Sequence, residues 1–189
     1  MTSPVYCALV HHPVRDRAGE TVTTAVTTLD VHDIARSART FGLRGYYVVT
    51  PIEAQHALTR RILEHWDSGA GRRRMPERHE ALSICHPVAT LQDAVADVTR
   101  REGQPPRLWT TAARSSELEL LSFSRGREEL AASRVPTLIL FGTGHGLADS
   151  VLAESDALLE PIAGAGEGGY NHLSVRSAAA IVFDRLLGR

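Results

Sequence analysis

Lysine is missing from these 189 residues: all 21 basic side chains are arginine, set against 22 acids for a net charge of -1. A chain so close to neutral has no global field to steer a polyanion, so any nucleic-acid contact must rest on local clusters. The arginine bias reflects coding composition, since many of these residues fall on ordinary helix surfaces. Cysteine is scarce. Cys7 and Cys85 lie in apolar surroundings without CxxC spacing, which excludes a disulfide framework and predicts buried free thiols in a reducing compartment. No apolar run approaches the roughly 20 residues of a membrane helix. The amino terminus has no basic-then-apolar signal pattern, so a cytoplasmic protein away from membranes is expected. The nine histidines show no metal-ligand spacing, and no metal site is expected. Internal repeats and dividing linkers are also absent, so residues 1–189 read as one domain with a core of ordinary size.

What remains is a rhythm of strands and helices. Val5–Val10 and Gly45–Pro51 are continuous apolar runs, each closed by a proline, and read as buried strands. Thr21–Thr28 is β-branched and fits an extended or buried loop. Leu29–Phe41 is a helix with Ile34, Ala38 and Phe41 on one face, capped by Asp30 or Thr28 and stopped at Gly42. In Glu53–Trp66, Ala54, Leu58, Ile62 and Trp66 recur every four residues and predict a second helix. Asp67–Glu80 breaks the pattern and reads as a flexible basic loop. Then come a strand Ser83–Val88, a helix Leu91–Arg101, a strand Arg107–Thr111, a polar stretch 114–134 with a helical piece Phe123–Ala132, and a strand Pro136–Phe141. A short helix Leu147–Glu154, a strand Ala157–Ile162, a loop Gly164–Gly169 and a helix Leu173–Leu187 complete the chain. The alternation predicts an α/β fold with a mostly parallel sheet flanked by helices.

Two glycine-rich turns stand out. Leu138–Phe141 opens into Gly142-Thr143-Gly144-His145-Gly146, a strand end that can hug a ligand or make a tight turn with none. A dinucleotide fingerprint belongs in the first strand–helix turn, where this chain has His11-His12-Pro13 instead. The second turn leads through Tyr170-Asn171-His172-Leu173-Ser174 into an alanine-rich helix.

Three segments in order resemble the SPOUT (SpoU–TrmD) class of S-adenosylmethionine-dependent RNA methyltransferases, and more closely a small bacterial branch of it. They are Asp30–Gly42, with Arg36 six residues before the glycine; Leu140–Leu147; and Tyr170–Val175 running into the final helix. The resemblance implies a trefoil knot in the carboxyl-terminal third and a homodimer with the active site at its interface. It also implies a donor pocket of Phe141, Gly142, Thr143, Gly144 and Gly146, Glu160, Pro161 and Ile162, and Asn171, His172, Leu173 and Ser174. Ile162 and Leu173 fit plain core packing as well.

Arg36 is the expected catalytic residue, clamping a phosphate and stabilising a developing oxyanion, against the alternative of a salt bridge to Asp33 or Asp30. Asp30 fits a general base for a ring nitrogen or a helix cap. Relatives acting on ribose usually carry asparagine where Asp30 stands, an acid near Gly144, and serine and asparagine where His172 and Ser174 stand. Arg72, Arg73 and Arg74, with Arg39 nearby in function, are the candidate contacts to a tRNA or rRNA substrate, although such a run is also an ordinary solvated surface. Trp66 beside them fits core packing better than a stacking platform. Two other readings stay open: a cofactor- or RNA-binding module without turnover, and an unknotted flavodoxin-like nucleotide-binding domain.

Overall fold

The computed structural model describes residues 2–111, 120–166 and 170–189. The chain runs β1 (Val5–Val10), β2 (Val14–Arg15), β3 (Thr21–Val22), α1 (Thr28–Thr40), β4 (Gly45–Val49), α2 (Glu53–Asp67), α3 (Gly69–Arg74) and α4 (Pro76–Leu82). It continues with β5 (Cys85–Val88), α5 (Leu91–Glu102), β6 (Arg107–Thr110), β7 (Leu120–Leu121), α6 (Phe123–Ala132), β8 (Thr137–Gly142), α7 (Asp149–Ala153), β9 (Ala157–Leu159) and α8 (Val175–Leu187). Seven strands form one sheet in the order β5-β4-β1-β8-β6-β9-β7, and every pairing in it is parallel. The fold is therefore α/β, with all seven carboxyl ends on one edge, where connecting loops gather.

Parallel strands covered on both faces must be apolar on both. β1 shows this directly: Val5, Cys7 and Leu9 enter a core with α1, α4, α6 and α8, while Tyr6, Ala8 and Val10 enter one with α5 and α7. Both cysteines are free and buried, and burial raises both thiol pKa values, so neither is a nucleophile.

Several expectations need correcting. The α1 cap is Thr27, whose hydroxyl accepts from the Asp30 amide. The stretch 67–80 is not a loop but the two short helices α3 and α4, the second opened by Pro76 at its first turn. In α2 the fully buried residues are His56 and Thr59; of the expected stripe, Ile62 and Trp66 pack against the core, while Leu58 is 42% exposed. β9 ends at Leu159, three residues early, and α8 starts at Val175 with Ser174 as its cap. Of the polar stretch 114–134 and the loop Gly164–Gly169, residues 114–119 and 167–169 lie outside the described residues. Among the described residues no helix is long and apolar enough to cross a membrane.

Candidate functional site

The site grows from the carboxyl edge of the sheet. β8 ends beside β1, with Gly142 in register with Val10, and its glycine turn is stitched to β2: Arg15 N donates to Gly146 O at 2.9 Å and His145 N to Arg15 O at 3.0 Å. Gly142 cannot be anything larger. A Cβ there would stand 2.7 Å from Leu147 N and 2.9 Å from Gly146 C. Gly144 has φ +61 and lies exposed at the tip, a left-handed conformation that suits glycine.

Thr143 is anchored beneath the turn. Its hydroxyl donates to Val10 O (3.1 Å) and lies 2.5 Å from Thr24 Oγ1, which lies 3.0 Å from His11 Nδ1. A hydroxyl has one proton to give. Thr143 spends its proton on the carbonyl, so Thr24 donates to Thr143, and His11 Nδ1–H must donate to Thr24. This chain of donors assigns the tautomer and leaves His11 Nε2 a bare lone pair, buried and without a partner among the described residues.

Burial pushes the His11 pKa down from 6.5 to about 4, partly opposed by Asp30. Burial and then Arg101 push His86 down to a similar value. An imidazole that resists protonation only when folded destabilises the native state as pH falls below 6.5, with the full penalty reached near 4. For His11 that penalty is about 3 kcal/mol. His11→Asn keeps the donor to Thr24 but has nothing to titrate. Urea midpoints should therefore fall less between pH 7 and pH 4 in this variant than in the parent; equal falls would refute the assignment.

The other two loops meet each other. Asn171 Nδ2 donates to Ile162 O at 2.8 Å, and a Cβ on Gly164 would stand 3.1 Å from Tyr170 O. β6 alone separates β8 from β9, so this pair opens onto the same edge as the glycine turn. Some of the expected pocket side chains have structural partners. Glu160 Oε1 accepts from Phe123 N (2.7 Å) at the start of α6, and Ser174 caps α8. His172 is exposed, edge-on to Tyr170 at 5.3 Å, and Leu173 is 47% exposed rather than core. Phe141 is buried against Phe183, and Pro161 and Ile162 are half-buried.

The early helix joins this edge through its first turn. Asp30 is buried; its Oδ2 accepts from the Thr27 hydroxyl at 2.6 Å and its Oδ1 from Arg176 Nη1 at 2.9 Å. Arg176 Nε also lies 3.5 Å from Asp33 Oδ2. Both acids named as alternative partners of Arg36 are thus engaged by an arginine of α8. Arg36 is exposed and has no ion-pair partner among the described residues. Arg176 was missed because nothing local marks it; its partner Asp30 is 146 positions away.

The basic residues divide. Arg39 is bound to Glu80, with Nε to Oε1 at 2.9 Å, and Arg78 stacks on Trp66 at 4.6 Å from the ring. Arg72, Arg73 and Arg74 are exposed on α3 and make no ion pair among the described residues.

Over residues 4–188 the sequence matches the model of a family described as SAM-dependent RNA methyltransferase. A tRNA (guanine-N(1)-)-methyltransferase of Oleidesulfovibrio alaskensis is 46% identical across 97% of this chain, but the chain spans only 42% of that protein's length. An uncharacterized protein of Aquifex aeolicus is 40% identical across 98% of this chain and 89% of its own. Among solved structures, the SpoU methyltransferase AviRb from Streptomyces viridochromogenes aligns with TM-score 0.61 at 16% identity, covering 99% of this chain and 60% of that one. At that identity the likeness is one of fold.

Proposed function

Because the chain belongs to the family of SAM-dependent RNA methyltransferases, we propose that residues 1–189 form one domain that moves a methyl group from S-adenosylmethionine to a nucleotide of RNA. The observation that carries this reading is the gathering of three loops at one sheet edge, with the α1 start tied to the tail through Asp30 and Arg176, and Arg36 farther along α1, exposed and without an ion-pair partner among the described residues.

The donor fits the glycine turn. Gly146 has open space where a Cβ would stand, so a flat adenine can lie close to its peptide groups. The Glu160–Ile162 and Asn171–Ser174 segments complete the pocket through backbone groups, since Glu160, Asn171 and Ser174 have their side chains committed. Bound donor supplies a sulfonium methyl ready for in-line displacement. Arg36 holds the acceptor nucleotide and balances its developing negative charge. Asp30, with both oxygens occupied, serves as the anchor of Arg176 rather than as a proton acceptor.

The carboxyl-terminal segment is read as the trefoil knot of this class, supported by the tie between Asn171 and Ile162 and by the fold likeness. A homodimer with a shared site is supported by uncovered apolar side chains close to the first turn of α1 and the tail: Leu29 is 59% exposed, Tyr170 76% and Leu173 47%. Arg72, Arg73 and Arg74 contact RNA phosphates, and Arg39 supports α4 through Glu80. Transfer RNA is the first substrate to test. The guanine N1 specificity of the longer relatives is not carried over, because more than half of each lies outside the match. The free buried thiols and the proposed RNA substrate support a cytoplasmic location.

Calorimetry should show one donor per subunit, and labelled methyl groups should enter RNA when donor and total tRNA are supplied. No donor binding by a correctly folded protein would refute the reading. Binding without transfer to any RNA would instead favour a non-catalytic module.

A further inference from the structure

Arg176 does more than join two helices. Arg36 stands three residues beyond Asp33 on α1, the spacing at which opposite charges on a helix pair. Left to the helix alone, Asp33 would hold the Arg36 guanidinium and withhold it from a phosphate. Instead Arg176 lies 3.5 Å from Asp33 while bonding buried Asp30 at 2.9 Å, and Arg36 is exposed without an acid partner among the described residues. We propose that Arg176 is a positioning residue for methyl transfer: by occupying Asp30 and Asp33 together it keeps Arg36 free for RNA. This rests on the proposed role of Arg36 and extends it to a residue of the final helix. The planar fork of arginine spreads its donors so that Nη1 faces one acid and Nε the other; a lysine ammonium is a compact point charge without that fixed spread, and drawn to buried Asp30 it loosens its hold on Asp33.

Arg176→Lys is the informative variant. It keeps a cation for buried Asp30, and so the fold, but releases Asp33 to capture Arg36. An exposed pair of this spacing is weak, so kcat/KM for tRNA should fall about twofold to fivefold, with donor affinity unchanged. Adding Asp33→Asn to Arg176→Lys should restore kcat/KM to the parent value, which a merely structural role for Arg176 would not allow. Arg176→Met, which leaves Asp30 unpaired, should melt earlier and show the same recovery with Asp33→Asn. Unchanged kcat/KM in Arg176→Lys, or no recovery in the double variant, overturns the proposal. In an Arg36→Ala background Arg176→Lys should have no further effect. If Arg36→Ala itself transfers methyl groups normally, the role of Arg36 fails, while donor binding and tRNA labelling still test the methyltransferase reading separately.

Discussion

Arg36→Ala is expected to slow methyl transfer by about 10²- to 10³-fold while donor affinity stays within about twofold. The separation follows from position. Arg36 lies on the exposed face of α1, whereas the glycine turn hangs from β8 and is fastened to β2, Thr24 and His11. Removing a guanidinium from α1 disturbs none of those contacts. On the proposed reading it does remove a permanent cation able to bond two oxygens of a phosphate at once and to stabilise charge appearing on the acceptor. Arg36→Lys retains the charge without the fork and should recover part of the rate. Single-turnover transfer to tRNA, with calorimetry of the donor, provides both readings. A rate within tenfold of the parent, or a parallel collapse of donor affinity, would remove Arg36 from the acceptor site.

How much of this was legible in the sequence depended on whether the cause was local. β1, β4 and β8 were readable because strands buried on both faces have no polar residues to confuse them. α2 misled for the opposite reason. His56 enters the interior with Nε2 against the carbonyls of Thr50 (2.7 Å) and Val88 (3.0 Å), and Thr59 bonds back to Gln55 O. Polar side chains that bring their own hydrogen-bond partners are invisible to an apolar stripe. The break at 67–80 is similar: α4 is held to α2 by Arg78 on Trp66 and by His79 near Asp67, contacts between elements that composition does not announce.

The site followed the same division. Its loops were legible because glycines and a strand end are local signals, and the structure gathers them at one edge. What was not legible is the use of each side chain. Asp30, Glu160 and Ser174 proved to be tied to Arg176, to the α6 start and to the α8 start, and the arginine that engages Asp30 lies 146 positions from it. Residue type alone cannot distinguish a carboxylate awaiting a substrate from one already holding a helix.

Gly142→Ala should weaken donor binding more than tenfold without unfolding the sheet. The added methyl meets backbone at 2.7 Å and 2.9 Å, and neither Leu147 N nor Gly146 C can swing aside as a side chain would. The turn must open, and its ties to Arg15 and Thr24 open with it. Strain of this kind costs roughly 1–3 kcal/mol, enough to distort a loop but not a seven-stranded sheet with two buried faces. This variant and Arg36→Ala then give a test of where the site lies. With donor held well below the Kd of the Gly142→Ala variant, each alone should be nearly inactive. If one subunit supplies the glycine turn and its partner the arginine, a mixed dimer has one site with both parts intact and one with neither. Random exchange makes about half the dimers mixed, so equal mixtures should regain about a quarter of the parent activity. If both parts come from the same subunit, no mixture regains anything, and the shared site is lost while the donor pocket stands.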